Sequence, residues 1–143
     1  MEATDTDRAP LAGKVALVTG GARRVGAQIV RRLHGAGAAV LVHRHRSRTD
    51  ADALVAELDA RRPGSAQACA LDLLDTARLP TLIEAAEQRF GRLDILVNNA
   101  STFYPTPLGA ITEAHWDDLL GSNLKAPLFL SQAAAPSLRR TQG

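Results

Sequence analysis

The chain has 143 residues, 45% of them apolar, and a formal net charge of +2, which is enough apolar sequence for one buried core of ordinary domain size. Seven of its 17 basic residues lie between Arg23 and Arg48, but no aromatic side chains accompany them to stack on bases, so we expect no nucleic-acid partner. No apolar run is long enough to span a membrane, and the first ten residues, with Glu2, Asp5 and Asp7, lack the apolar core of a signal peptide, so we expect no membrane partner.

The cysteine count and the absence of linkers indicate the compartment and the number of domains. Cys69 has no partner for an internal disulfide, which fits a reducing compartment, and we expect a cytoplasmic protein. We predict that residues 1–12 form a flexible, polar N-terminal tail. No linker, repeat or low-complexity tract interrupts residues 13–143, which we predict to be one domain without a metal site.

The first predicted unit is a strand, a helix and a second strand. Residues 14–19, Lys-Val-Ala-Leu-Val-Thr, alternate little between apolar and polar and predict a strand covered on both faces. The apolar residues that follow recur as on one face of a helix, which would bury Val25, Ile29, Val30 and Leu33. Gly35 or Gly37 can close this helix with a left-handed cap. Residues 38–42 predict the second strand, joined to the first by a right-handed crossover.

A glycine turn lies between that strand and that helix. Residues 19–26 read Thr-Gly-Gly-Ala-Arg-Arg-Val-Gly. Gly20 permits the turn that leaves the strand, and Gly26 allows the helix to pack close to the sheet. Unpaired N–H groups at the helix start favour a bound pyrophosphate, although an ordinary glycine turn would read the same way. Arg24 stands where many dinucleotide folds have another glycine, and it either contacts phosphate or is a solvated helix residue.

The end of the second strand predicts which dinucleotide binds. NAD-binding folds tend to place an acidic residue there, which holds the ribose hydroxyls. Residues 43–47 instead read His-Arg-His-Arg-Ser. A carboxylate would repel a 2′-phosphate, whereas arginine and serine can bind one. We therefore predict NADP(H), and not NAD(H), as the cofactor.

The rest of the chain continues to alternate helices and strands. The predicted elements are a helix over 49–62, a strand over 66–70, a helix over 76–90 closed by Gly91, a strand over 93–97, a helix from the cap Thr112 to Leu120, and a helix from about 122 to 140 with a kink near Pro127. This alternation predicts an α/β fold with a parallel sheet covered on both faces. Ligands of such sheets bind beyond the carboxyl ends of the strands.

With these motifs, the chain resembles the first half of a short-chain dehydrogenase/reductase, and within that superfamily the pteridine reductases. The resemblance covers about residues 13–140. It rests on Thr19-Gly20…Arg24-Val25-Gly26, His43 to Ser47, Asn98-Asn99-Ala100-Ser101, Phe103 to Leu108, and Gly121-Ser122-Asn123. It implies a Rossmann-like, doubly wound parallel sheet in the order 3-2-1-4, which stops before the fifth strand, and therefore an incomplete NADP-binding domain over 13–143.

The same resemblance implies which residues contact the cofactor. Those around the pyrophosphate and adenosine ribose would be Gly20, Arg24, Val25 and Gly26. Those around the 2′-phosphate would be His45, Arg46 and Ser47. The adenine would be lined by Asp72 and Leu73. The nicotinamide and its ribose would lie beside Asn99, Ala100 and Ser101.

Three residues would belong to the substrate and the chemistry. Ser101 and Phe103 would contact the substrate. Phe103 would do so by stacking on a flat pterin ring; the alternative is an apolar loop anchor. Asn123 would help to set the water of the proton relay, unless it serves as a helix cap.

One part of that machinery is missing from the sequence. The family supplies its proton through a Tyr-x-x-x-Lys pair, but the only tyrosine is Tyr104, and Leu108 stands four positions later. The only lysines are Lys14 and Lys125. Because reduction of a pterin needs a positioned acid, we interpret the chain as a fragment that is inactive alone.

We expect the whole enzyme to use NADPH to reduce a C=N bond of a dihydropterin or dihydrofolate, as a homodimer or homotetramer. Two alternatives stay open. One is another NADPH-dependent short-chain carbonyl reductase, acting for example on a 3-oxoacyl thioester. The other is a non-catalytic NADPH-binding module.

Overall fold

A computed structural model describes residues 9–143 and shows one parallel sheet. Its strands are β1 (Val15–Val18), β2 (Ala39–Arg44), β3 (Ala66–Ala70) and β4 (Ile95–Val97). They lie in the order β3-β2-β1-β4, so the predicted strand order is confirmed. Across the centre of the sheet Leu17 pairs with Leu41 on one side and Leu96 on the other.

Helices cover both faces of this sheet. They are α1 (Arg24–Gly35), α2 (Arg48–Arg61), α3 (Pro80–Phe90), α4 (Glu113–Leu120) and α5 (Ala126–Thr141), with a short 3₁₀ turn (Thr76–Arg78) before α3 and a π-turn (Gly121–Lys125) between α4 and α5. Strand residues alternate between two apolar clusters. Leu17 and Leu41 belong to the cluster that contains α3 and α5 residues, and Val18 and Val40 to the cluster that contains α1 and α2 residues. The doubly wound α/β prediction is therefore confirmed.

Helix α1 buries only part of the predicted face: Val30 is fully buried, and Ile29 and Leu33 pack against the same apolar cluster, but Val25 does not. Val25 is 67% exposed, and Ile29 and Leu33 are only half-buried. The residues turned inward are Gly26, Ala27, Val30 and His34. The first turn of α1 packs so closely against Gly20 and Asn99 that a Cβ at Gly26 would collide with them, and Val25, one position earlier, lies on the outer side.

Most predicted helix ends are found where the sequence places them. Gly37 and Gly91 have φ of +106° and +82° and end α1 and α3. Thr112 caps α4: its Oγ1 accepts the N–H of His115, and His115 Nδ1 accepts the N–H of Thr112, both at 3.2 Å. The irregularity predicted near Pro127 is the π-turn that precedes α5, because Pro127 stands in the first turn of that helix.

The N-terminal region is described only in part. Residues 1–8 of the predicted tail over 1–12 lie outside the described residues. The part that follows forms a turn, in which the N–H of Leu11 donates to the carbonyl of Ala36 at 2.8 Å. Between residues 9 and 143, none of the helices has both the length and the apolar character needed to cross a membrane.

Candidate functional site

A cleft of about 720 Å³ opens at the carboxyl ends of the strands, within the volume range of ligand sites. It brings together every residue that the sequence predicts for the cofactor except Ser47, which precedes α2 outside the cleft. The predicted residues that line it are Gly20, Arg24, Val25, Gly26, His45, Arg46, Asp72, Leu73, Asn99, Ala100 and Ser101. The lining residues without a predicted role are Arg23, His43, Leu74, Thr102, Asp118 and Ser122.

The glycine turn forms one wall of the cleft by close backbone contact. Gly20 has φ of +60°, and a Cβ there would lie 3.0 Å from Cα of Ala100. A Cβ on Gly26 would collide with the carbonyl oxygen of Gly20 and lie 2.6 Å from Nδ2 of Asn99. The first N–H groups of α1 have no partner within the helix and carry the positive end of its dipole. The turn therefore presents glycine backbone and helix-start N–H groups to an anion, flanked by the side chains of Arg23, Arg24 and Val25.

Arg24 holds a backbone conformation that glycine usually takes. Its φ is +51°, in the left-handed region that costs about 1–2 kcal/mol for a residue with a Cβ. Such conformations persist where the surrounding structure fixes them, and they concentrate at functional sites. The side chain of the neighbouring Arg23 forms an ion pair with Asp50, with Nε and Oδ2 3.3 Å apart. The turn thus places two arginines along the cleft, one of them paired with α2.

His43 lines the cleft, although the sequence predicts no role for it. It is 2% exposed, and its ring joins two segments: Nδ1 lies 3.1 Å from the N–H of Gly20, and Nε2 lies 2.9 Å from the carbonyl of Leu71. Since the amide can only donate and the carbonyl can only accept, the ring is neutral with its proton on Nε2. Burial lowers the pKa of His43, and the hydrogen bond to Leu71 offsets this only in part.

The signal for His43 is present in the sequence. It stands two residues after Leu41, so it points to the same buried face of β2, where a polar ring needs partners on both nitrogens. Here those partners tie the glycine turn to the segment that follows β3.

Two basic side chains face the cleft after β2. Arg46 lines it, and no carboxylate among residues 9–143 forms an ion pair with the Arg46 side chain. His45 Nε2 lies 3.9 Å from Oδ2 of Asp72, and Oδ1 of Asp72 accepts the N–H of Leu74 at 3.0 Å. The predicted 2′-phosphate and adenine residues therefore lie next to each other.

Asn99 and Thr19 lock the end of β4 to the glycine turn. Nδ2 of Asn99 donates to the carbonyls of Thr19 and Gly20, both at 3.1 Å. Oγ1 of Thr19 accepts the N–H groups of Asn99 and Ala100, both at 3.0 Å. This network places Ala100 and Ser101 at the cleft on a rigid backbone.

Asn123 and Phe103 do not line the cleft. The side-chain amide of Asn123 is bound twice to one residue: Nδ2 donates to the carbonyl of Thr102 at 2.7 Å, and Oδ1 accepts its N–H at 3.0 Å. Neither Ser122 nor Asn123 caps a helix, because the π-turn continues α4 into α5. Asn123 instead fixes the loop at Thr102, next to Phe103, whose side chain is 89% exposed. Their predicted roles in proton relay and stacking stay predictions.

Tyr104 lies in the same loop and contacts α4 through both its hydroxyl and its ring. Its hydroxyl donates to Oδ2 of Asp118 at 2.9 Å, and this hydrogen bond raises the pKa of Tyr104. Its ring meets that of His115 edge-on, with centroids 5.7 Å apart. The phenol therefore anchors the loop to α4. Among residues 9–143, no three His, Cys, Asp or Glu side chains gather as metal ligands would.

Comparison with known proteins gives one consistent family. The family model described as short chain dehydrogenase matches residues 14–143. Pteridine reductase 1 of Leishmania tarentolae is 40% identical over 159 residues, which cover 90% of this chain and 55% of that protein. Galactitol 2-dehydrogenase of Agrobacterium fabrum is 36% identical over 126 residues, which cover 87% of this chain and 47% of that protein.

A solved structure agrees with these matches. It is described as a blue fluorescent protein from a metagenomic library in complex with NADPH, and it superposes with a TM-score of 0.85 at 40% identity. The match covers 90% of this chain and 52% of that one. The chain thus spans about half the length of the relatives it matches.

Proposed function

Because the chain belongs to the short-chain dehydrogenase family, we propose that it is the NADPH-binding part of an oxidoreductase. We propose further that this oxidoreductase reduces a dihydropterin or dihydrofolate. The observation that carries this proposal is the cleft itself. The glycine turn with its arginines Arg23 and Arg24, and the basic residues His45 and Arg46, line one cavity at the carboxyl ends of the strands. A solved relative of the same fold is described as a complex with NADPH.

The cleft fits a dinucleotide in shape. The close approach of Gly26 to Gly20 and Asn99 leaves the start of α1 open for a pyrophosphate, and the helix dipole favours that charge. The cofactor would then extend from His45 and Arg46 past Asp72 and Leu73 at one end to Asn99, Ala100 and Ser101 at the other. The chemistry that NADPH supplies when bound is hydride donation.

The cleft also fits the extra phosphate of NADPH. The segment after β2 carries no acidic residue between His43 and Ser47, and Arg46 reaches the cleft. A guanidinium can bind a phosphate with two parallel hydrogen bonds. Two carboxylates line the cleft: Asp72 has its Oδ1 bound to the N–H of Leu74 and its Oδ2 facing His45, and Asp118 accepts the hydroxyl of Tyr104.

Arg46→Ala tests this assignment by titration with both cofactors. Loss of one charge-assisted contact, about 1.5–3 kcal/mol, should weaken NADPH binding by tenfold or more and leave NADH binding nearly unchanged. Arg48→Ala is the matched control, because Arg48 lies outside the cleft and pairs with Asp52. Equal losses for both cofactors in Arg46→Ala would refute the 2′-phosphate assignment.

The choice of a pterin substrate rests on similarity and on one side chain. Pteridine reductase 1 is among the relatives, and Phe103 is exposed beside the loop that Asn123 fixes. A planar ring stacks well on such a side chain. In the whole enzyme, Phe103→Ala should raise KM for a dihydropterin several-fold and leave the Kd of NADPH unchanged. The opposite pattern, weaker NADPH with intact pterin kinetics, would show that Phe103 does not stack on substrate.

Another observation favours a second candidate. Galactitol 2-dehydrogenase is also a relative, so carbonyl chemistry, such as reduction of a 3-oxoacyl thioester, remains the alternative. Assays of the whole enzyme with dihydrobiopterin, dihydrofolate and ketone substrates separate the two. A non-catalytic NADPH-binding module would bind cofactor and reduce none of them.

The proton donor distinguishes this chain from the whole enzyme. The phenol of Tyr104 is bound to Asp118, and no lysine follows it at the family's spacing. We infer that the 143-residue chain binds NADPH without reducing a pterin, and that the whole enzyme is a cytoplasmic homodimer or homotetramer. Exposed apolar residues on α5 and the preceding turn, Leu124, Leu128 and Phe129, support the oligomeric state.

A further inference from the structure

His45 and Asp72 face each other in the cleft, between the end of β2 and the segment that follows β3. Nε2 of His45 lies 3.9 Å from Oδ2 of Asp72, which is ion-pair distance but longer than a hydrogen bond. About half of each side chain is exposed, so the pair alone contributes little to folding stability. Both residues line the cleft, where a ligand can cover them.

The Asp72 carboxylate is fixed on one side only. Its Oδ1 accepts the N–H of Leu74, which leaves Oδ2 for His45. The backbone at His45 is held too, because the guanidinium of Arg44 donates to the His45 carbonyl at 3.2 Å. The imidazole of His45, which lines the cleft, therefore has Nε2 beside a fixed anion, and among residues 9–143 its Nδ1 has no hydrogen-bond partner.

We propose that Asp72 positions His45 as an imidazolium that bridges the Asp72 carboxylate and the 2′-phosphate, so that binding of NADPH, unlike binding of NADH, takes up a proton. This inference rests on the proposed NADPH-binding function. An imidazole donates to two acceptors at once only when both nitrogens carry protons. The carboxylate is one acceptor and the phosphate is the second. The proton comes from solvent and stays on His45 in the complex.

The other charged and titratable groups around His45 do not take up this proton. They are Arg44, Arg46, His43, Arg23, Arg24 and Asp118. The arginines remain protonated throughout the working pH range. The ring of His43 is held neutral between Gly20 and Leu71, and Asp118 accepts the hydroxyl of Tyr104. Of the described groups in the cleft, this leaves the imidazole of His45, beside the carboxylate of Asp72, as the site of the added proton.

Calorimetry counts the proton directly. The full chain is titrated with NADPH and with NADH at about pH 7.5, in buffers of different ionisation enthalpy. The second pKa of a phosphate monoester is about 6, so the 2′-phosphate is already dianionic and adds little. We expect a sizeable fraction of one proton to be taken up with NADPH and almost none with NADH. NADPH affinity should then fall as pH rises, by at most about tenfold per unit, because one proton is involved.

Three variants locate the effect. His45→Gln should abolish the difference in proton uptake between the two cofactors. Asp72→Asn should reduce it, since the amide oxygen can still accept from Leu74 but the negative charge is lost. Asp75→Asn removes the same charge three residues away, from a side chain that makes no helix-cap hydrogen bond, and should behave as wild type.

The outcomes separate the two proposals. Equal proton counts for NADPH and NADH, or an unchanged count in His45→Gln or Asp72→Asn, would overturn the His45–Asp72 bridge and leave NADPH binding intact. An equal reduction in Asp75→Asn would overturn the positioning role of Asp72. Failure of the chain to bind NADPH at any pH would overturn both the bridge and the proposed function.

Discussion

Gly26 occupies the most restricted position of the site. A Cβ there would collide with the carbonyl of Gly20 and crowd Nδ2 of Asn99, two groups that already hold each other by a hydrogen bond. Neither is the mobile end of a flexible side chain, so the backbone of the glycine turn would have to shift. The whole arrangement of turn, helix and β4 end depends on this contact.

We expect Gly26→Ala to lower the free energy of unfolding by about 1–3 kcal/mol, as overpacking does, and to weaken both NADPH and NADH at least tenfold. Urea unfolding and cofactor titration measure the two effects. Gly35→Ala is the control on the same helix, because a Cβ there meets nothing within 4 Å, and it should be neutral or slightly stabilising. Wild-type binding by Gly26→Ala would mean that the turn is not the pyrophosphate site.

At the residue scale, the sequence predicts which residues line the cleft better than it predicts the hydrogen bonds between them. Gly20, Gly26 and Arg46 could be selected because each has a local reason: a turn, a close approach, a charge. His43, Thr19 and Asn123 act through partners that are distant in the chain, such as Asn99, which is 80 positions from Thr19. Pairing at that distance depends on the finished sheet, so local pattern does not reveal it.

Asp94 joins the elements at the opposite end of the sheet from the cleft. Its buried carboxylate accepts the N–H of Val15 at 2.9 Å and two hydrogen bonds from Arg92, at 2.8 and 2.6 Å, with Lys14 3.7 Å away. Burial alone would raise the pKa of Asp94, but the hydrogen bonds and charges of Arg92, Val15 and Lys14 together lower it. The start of β1 is thereby tied to the segment that enters β4.

Because the folded pKa of Asp94 is depressed, its contribution to stability is present above the unfolded pKa of about 3.9 and is lost as pH falls through the lower folded value. Asp94→Asn should cost about 1.5–3 kcal/mol at pH 7 and should flatten the loss of stability below about pH 4. Urea unfolding between pH 7 and 2.5 measures this. Asp52→Asn, which breaks an exposed pair with Arg48, should change little. An unaltered acid limb in Asp94→Asn would show that other carboxylates cause it.

At the element scale, helix and strand identity could be predicted, and the orientation of the helices only in part. β3 has the predicted bounds, and Thr112, Gly37 and Gly91 act as predicted at helix ends. Those signals are local conformational preferences. The exposed Val25 shows the limit: periodicity identifies an apolar stripe, but the contact at Gly26 decides how α1 is rotated against the sheet. The π-turn likewise contains Asn123, whose side chain meets Thr102 across the loop.

At the scale of the molecule, two surfaces leave apolar groups uncovered. β4 lies at one edge of the sheet and all three of its residues are only half-buried. A groove of about 830 Å³ between α4, the π-turn and α5 is lined by Leu74, Trp116, Leu120, Leu124 and Leu128 among other residues. Open strand edges and large apolar patches both favour association.

We therefore expect the isolated chain to associate as its concentration rises and to melt at low temperature. NADPH at a concentration of 100 Kd should add about 2.7 kcal/mol to its free energy of unfolding. Size-exclusion chromatography and thermal melting with and without NADPH measure this. Leu124→Glu should reduce association, whereas Leu108→Glu, at a side chain that is 96% exposed outside the groove, should not. A monodisperse monomer that melts cooperatively above about 65 °C would contradict this expectation.

The position of β1 in the middle of the sheet has a consequence for the order of folding. Its two neighbours come from very different distances along the chain: Ala16 pairs with Val40 on one side and with Ile95 on the other. Closing the longer loop costs more entropy, and long-range parallel pairing is slow. During synthesis, β1, β2 and β3 can assemble before β4 has emerged from the ribosome. Since Asn99 and Ala100 reach Thr19 only after β4 has docked, we expect the nucleotide cleft to be completed last, and the nascent chain to remain unable to hold its cofactor until then.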